Sequence, residues 1–382
     1  MSLYYRMNKK LVILALITSI IILIELIFVV FRNNQEDFTN YYRCERRPLG
    51  GIYKEIFNEE GVNLSKDLDD FNLYYPCGYN GVERELRDLN LGNKTGQDVF
   101  GICGSDKIAS KSSLWKVVSE HYGRDYAKKL IPESWLLKEN KEFPLFKASF
   151  EPSKVYILKK NVQRKKGIKL TSDLEEIEKA HKKKYVMVQE KHDSIIINKR
   201  RLNLRIYVFV VCRDGKKSVF IHDSAKVLYT SKDVVENTGS NSEEFETLIT
   251  NSYVTDLEIY NKNPLTLNKL LEYLEENRGI NKTILKRDIY NVIENVMKAL
   301  VPKVCNCRNM KGQNMYQMFG ADVLINTNYK PYVLEFNKGP DMKHKDEADH
   351  KLKKKVIFDT FEKIGVVKGK ENSYKNGYVQ II

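Results

Sequence analysis

The chain has 382 residues, of which 42% are hydrophobic and 30% charged, a globular composition that excludes an intrinsically disordered protein. Lys and Arg outnumber Asp and Glu by 64 to 50, a net charge of +14, so charge favours an acidic partner: an anionic membrane surface, a nucleic acid or an acidic polypeptide. The six cysteines are sparse and Cys305-Asn306-Cys307 is too tight for a usual zinc pair, so they read mostly as free thiols, with a bridge among Cys44, Cys77 and Cys103 left open.

The first predicted element spans a membrane. Residues 11–31 form an apolar run broken only by Thr18, Ser19 and Glu25; at about 1.5 Å per residue it is about 30 Å long, the thickness of a bilayer core. The run exceeds the roughly 7–15 apolar residues of a cleaved leader, and no small-x-small cleavage site follows it. The reading is a tail over 1–10 and a single transmembrane helix over 11–31. Residues 32–104 are polar, rich in Tyr, Asn and Gly, and lack sustained periodicity, which predicts a stalk leading into an irregular N-terminal subdomain. Over 107–136, Leu114, Val117, Val118 and His121 are spaced for one helix face, and Pro132 opens an extended segment towards Trp135.

Residues 155–160 read as a strand, 161–167 as a basic turn and 168–170 as the returning strand. A lysine leaving a strand beside a flexible loop can meet phosphates as a compact charge, although a Lys-rich hairpin tip is also commonly just solvated. A short amphipathic helix over 174–183 and a buried strand over 185–189 follow, the latter ending at Gln189-Glu190. The strand 201–211 turns from polar to wholly apolar, and Arg205 is its odd residue: a guanidinium entering a buried strand needs an anion, either a phosphate or carboxylate ligand or a structural ion pair. A strand over 218–222 and helices over 267–277 and 285–300 complete this part.

The stretch 319–340 reads as a β-hairpin carrying a metal site. Strands over 321–325 and 332–336 are rich in β-branched and aromatic residues, and 326–331 is turn-forming. Glu335 and Asn337, two apart, project from one face, and Asp322 interrupts the other strand in the same way. Three oxygen donors on paired strands suit a hard cation such as Mg²⁺. The competing reading, acids that merely face solvent, leaves the Glu-x-Asn pair unexplained.

Lys159 on a strand, the Gly167 loop, Gln189-Glu190, Arg201-Leu202-Asn203-Leu204-Arg205-Ile206-Tyr207, Ile249-Thr250-Asn251-Ser252, Gly320-Ala321-Asp322, Leu334-Glu335-Phe336-Asn337-Lys338-Gly339-Pro340 and a C-terminal helix over 349–359 together resemble, in sequence and order, the tubulin-tyrosine ligase-like family of ATP-grasp ligases. The resemblance covers roughly 107–365 and implies an α/β (α+β) ATP-grasp fold with central antiparallel-rich sheets over 105–382. It also implies an ATP- and Mg²⁺-dependent carboxylate–amine ligase. In such an enzyme Lys159 would hold the α- and β-phosphates, aided by the Gly167 loop. Gln189 and Glu190 would offer backbone groups to adenine, and Arg205 with Asn251 would contact the transferred phosphate. Asp322, Glu335 and Asn337 would bind Mg²⁺. The partners implied are an acidic protein, tubulin first, and a free amino acid, with no nucleic acid.

The chain departs from the family pattern in places. Its phosphate loop is short and has one glycine, Asn203 stands where an Asp is usual, Lys191 stands at the hinge Tyr, and Lys226 takes the position of an expected arginine. A second function class therefore stays open: a pseudoenzyme that keeps the fold and basic surface and tethers microtubules or another acidic partner to a membrane. The need for ATP and the reading of the cysteines as free thiols predict a cytosolic catalytic domain. The sequons at Asn63, Asn93 and Asn281 are expected to stay unmodified.

Overall fold

Two sheets carry the chain. The computed structural model describes residues 39–382 apart from 69, 80, 89–97, 140, 163–166, 235–257, 307–313 and 369–374, together with residue 20. Apart from residue 20, the transmembrane segment expected over 11–31 lies outside the described residues, among which no helix is long and apolar enough to cross a membrane.

Among the described residues the larger sheet has 11 strands and is built on two long antiparallel neighbours, Arg200–Arg213 and Asn314–Ile325. Each reads as a nearly continuous apolar run, Ile206 to Val211 in the first, because helices or loops cover both faces. Lys216–His222 and Lys226–Tyr229 add to Arg200–Arg213 on its other side, and Pro331–Asn337 adds to Asn314–Ile325. Beyond Asn314–Ile325 the sheet turns parallel, through Asp98–Val99, Leu73–Tyr75 and Asn40–Arg43. The smaller sheet, in the order Ser134–Leu136, Met187–Glu190, Tyr156–Lys159 and Ile168–Thr171, is antiparallel throughout. The mixed α/β architecture with an antiparallel centre is the one expected.

Helix boundaries follow local chemistry. Ser110 has extended backbone and accepts from Ser113 N, opening Lys111–Tyr122. Thr266 caps Leu267–Arg278, which Gly279 ends at φ +64°; Asn281 then caps Lys282–Leu300. Leu270, Leu274, Ile289, Ile293 and Val296 recur at helical spacing and are fully buried in the main core. A separate small core of Trp135, Phe146, Tyr156, Leu158, Ile177 and Val188 supports the smaller sheet.

Two sequence readings change. The stretch expected as stalk and irregular subdomain, 32–104, contributes from Asn40 onward to the main sheet and belongs to the same unit as the rest, Asn40–Ile382. Its strands are two to four residues long, too short to show a period. The free-thiol reading is also overturned: Cys44 pairs with Cys77 and Cys212 with Cys305, at Cα separations of 5.2 and 6.5 Å, within the usual range for a bridge. No cysteine among the described residues is free. The sheet brings them together. Arg43 pairs with Tyr75, so Cys44 and Cys77 follow adjacent strand ends, while Cys212 lies opposite Met315 on the long strand pair.

Removing the Cys212–Cys305 bridge, which closes a 93-residue separation, by a Cys212→Ala/Cys305→Ala double substitution should cost about 2–4 kcal/mol of stability. Urea unfolding measures it, and an unchanged midpoint would mean that the bridge does not form.

Candidate active site

Register builds the site. Lys226 lies opposite Arg205, Arg205 opposite Asp322, and Asp322 opposite Glu335, so one line across four strands carries two cations and then two anions. Directly opposed residues project to the same face, which makes this line a continuous electrostatic feature. A register shift between Asp322 and Val323 restores the pairing at Val333 and leaves Leu334 as the extra residue beside Glu335. Asn337 lies opposite Gly320, two pairs further along and so on the same face.

Arg205 grips Asp322 with two nitrogens, Nε to Oδ1 at 2.6 Å and Nη2 to Oδ2 at 3.2 Å, the planar fork that lysine cannot copy. Among the described residues Nη1 has no partner, so the side chain combines the structural ion pair with a donor left for a ligand. Gly320 makes room for it: a Cβ there would stand 2.8 Å from Arg205 Cδ and 3.1 Å from Pro340 Cβ. The Gly-Ala-Asp order thus follows from where the guanidinium stem crosses the neighbouring strand.

Asn337 Nδ2 donates to Asp322 Oδ2 at 3.3 Å, turning its amide oxygen away from that carboxylate. Glu335 Oε2 meets Lys111 Nζ at 3.0 Å. Burial opposes ionisation of Glu335, but Lys111 and Lys159 outweigh it and hold the carboxyl below its usual range. At Asp322 burial dominates and, despite Arg205, keeps the carboxyl above its usual range, with the Glu335 charge adding to the effect. Asp322, Glu335 and Asn337 bring two carboxylates and an amide to one stretch of the hairpin, oxygen donors of the kind a hard divalent cation takes.

Lys159 ends its strand buried, and desolvation lowers its ammonium to about 8 although Glu335 opposes the shift. Gly167 lets the basic loop close: Lys160 N donates to Gly167 O at 2.8 Å, and a Cβ on Gly167 would stand 2.5 Å from Val162. Gln189 is buried between two strands, and its Nε2 donates to Ser134 Oγ at 2.8 Å. Among the described residues its Oε1 is buried with no hydrogen-bond partner. Glu190 ends that strand, half-buried between Lys154 and His192. The smaller sheet thus sets Lys159, a phosphate cation, on the strand beside Gln189 and Glu190, an arrangement that fits ATP. Lys226 is buried and donates to Asp349 Oδ1 at 2.7 Å with its ammonium over the Tyr260 ring. Asn251 lies outside the described residues.

Lys111 escaped the sequence reading. It is the first residue of a helix, and nothing local marks it as the partner of a glutamate more than two hundred positions later. Lys338, in the run that follows Asn337, is buried and paired with Asp106 at 2.7 Å.

Because the Lys159 ammonium is lowered to about 8 from its ordinary 10.5, the unfolded chain binds the extra proton between those values, and stability of the ligand-free protein rises with pH across that window. Lys159→Met should therefore be about 1–2 kcal/mol more stable than wild type at pH 7, the gap closing as pH approaches the ordinary lysine value. Denaturant midpoints against pH check this; a constant gap contradicts the buried cation.

A profile of the tubulin-tyrosine ligase family matches residues 91–374. Tubulin monoglutamylase TTLL4 of Mus musculus is 25% identical over 333 residues, covering 83% of this chain and 27% of that protein. The probable tubulin polyglutamylase TTLL2 of Mus musculus is 24% identical over 339 residues, covering 82% of this chain and 59% of that protein. Tubulin glycylase 3D of Tetrahymena thermophila is 24% identical over 208 residues, 52% of this chain and 20% of that protein. The chain spans about a quarter of the length of TTLL4. With its profile match covering most of the fold and including the charged line from Lys226 to Glu335, the chain belongs to the tubulin-tyrosine ligase family.

Proposed function

We propose that this protein is an ATP- and Mg²⁺-dependent ligase that activates a carboxylate as an acyl-phosphate and joins it to the amino group of an amino acid. The observation that carries this reading is the aligned row of Lys226, Arg205, Asp322 and Glu335, flanked by the buried Lys111 and Lys159. Asp322, Glu335 and Asn337 would hold Mg²⁺, which neutralises phosphate charge when bound. Gln189 and Glu190 offer backbone groups to adenine, and Lys159 and Lys111 bind the phosphate chain. Arg205 holds the transferred phosphoryl group in line with the attacking carboxylate. The carboxylate oxygen bonds to the γ-phosphorus as the bond to the β-phosphate oxygen breaks and ADP leaves. The amine nitrogen then attacks the acyl carbon, phosphate departs with its bonding pair, and the amine gives up a proton.

An acidic polypeptide suits the +14 net charge. The names of the relatives make tubulin the first acceptor to assay. The apolar run over 11–31 anchors the enzyme in a membrane.

Incubation with ATP, Mg²⁺, mixed amino acids and tubulin or an acidic peptide, followed by mass spectrometry, should show addition of an amino acid. Glu335→Gln should lower that activity at least about a hundredfold with the fold intact, because it removes charge from the cation site at nearly constant volume. Wild-type activity in that variant would refute the metal assignment. Arg205→Lys should also lose most activity, as an ammonium cannot hold Asp322 and a phosphoryl group together; full activity would reduce Arg205 to a generic cation.

A further inference from the structure

The cytosolic expectation joins a need for ATP to free thiols, and the structure pairs the cysteines. Cys77 is exposed and Cys44 is only just buried, so glutathione or thioredoxin would reach their bridge. Bridges of this kind persist in oxidising compartments and are rare where those reductants keep thiols reduced. Cys212–Cys305 ties the long strand Arg200–Arg213 to the segment that leads into Asn314–Ile325.

Sequons supply a second, independent observation. Asn281-Lys282-Thr283 is exposed along its whole length. Asn281 caps its helix through Oδ1, which accepts from Ile284 N at 3.0 Å. The amide Nδ2 is the atom a glycan would use, so modification and capping employ different atoms of the same side chain. Asn63-Leu64-Ser65 presents an exposed asparagine whose Nδ2 makes one bond, to Gly61 O at 3.0 Å, leaving its second hydrogen. The third sequon, at Asn93, lies outside the described residues. The charges flanking the apolar run, Arg6, Lys9 and Lys10 before it and Arg32, Arg43, Arg46 and Arg47 after it, are close to balanced and permit either orientation.

We propose that the folded unit Asn40–Ile382 resides in an oxidising secretory lumen, where Asn281 and Asn63 carry N-linked glycans and the cysteines are paired. Each bridge forms as two thiols lose two protons and two electrons to the disulfide of a thiol-oxidising oxidoreductase, which is reduced to a dithiol. Each glycan is attached as asparagine Nδ2 bonds to the anomeric carbon of a lipid-pyrophosphate-linked oligosaccharide; the lipid pyrophosphate leaves with the bonding pair and Nδ2 gives up a proton. The inference does not depend on the ligase reading. If it holds, the acceptor polypeptide to seek is an acidic lumenal protein, and tubulin drops from first place.

The full chain, expressed in a eukaryotic cell, is digested with a peptide N-glycosidase and compared on a gel with undigested protein. A downward shift is expected, shortened by one glycan step in Thr283→Ala and by another in Ser65→Ala. Both substitutions destroy a sequon while leaving the asparagine, so the Asn281 cap survives and loss of the step is not a folding failure. In parallel, alkylation of denatured protein without reductant is expected to leave Cys44, Cys77, Cys212 and Cys305 unlabelled by mass spectrometry. A band that glycosidase does not move, or labelling of those cysteines without reductant, overturns the proposal. Neither readout uses ATP or ligation, so its failure leaves the activity assay untouched.

Discussion

The structure depends on the register between Arg200–Arg213 and Asn314–Ile325. A one-residue slip would turn Arg205 and Asp322 to opposite faces of the sheet, separating an ion pair in which each side chain is largely withdrawn from water. Neither partner tolerates solitude there, since a buried charge without its counterion costs several kcal/mol. Register is held from several sides: the apolar run Ile206 to Val211 faces the core, Gly320 admits the guanidinium, and Lys226 and Glu335 extend the line on either side. The same constraint that fixes the sheet arranges the charges for phosphate and metal.

A cluster of buried charge is stable only if it is balanced, and here balance is distributed. Asp349 takes Lys226 and Lys353, and its carboxyl lies below the usual range because these partners outweigh the effect of burial. Lys111 answers Glu335. Lys159 is the least compensated member, which is the physical meaning of its lowered ammonium. A polyanionic ligand would relieve that frustration, so ligand binding and completion of the electrostatic network are the same event.

The sequence made much of this legible for specific reasons. Asp322, Glu335 and Asn337 stood out because strands have a period of two, and polar residues replaced apolar ones at positions that period assigns to one face. Arg205 was visible as a charge inside an apolar run. The capped helices around 267–300 announced themselves by spacing. What stayed hidden depends on contacts distant along the chain. Lys111 has no local signature, and its role appears only when its helix meets the metal hairpin. The cysteine pairs are joined by strand neighbours, not by spacing. The N-terminal strands were too short to read, although they complete the main sheet.

The central claim is that the charged line binds a nucleotide through a divalent cation, and calorimetric titration with ATP tests it most directly. The account predicts binding that strengthens on adding Mg²⁺, with the Mg²⁺ dependence lost in Glu335→Gln, which leaves the Arg205–Asp322 pair in place. Equal affinity with Mg²⁺ and with a chelator, or a dependence that survives Glu335→Gln, would contradict it.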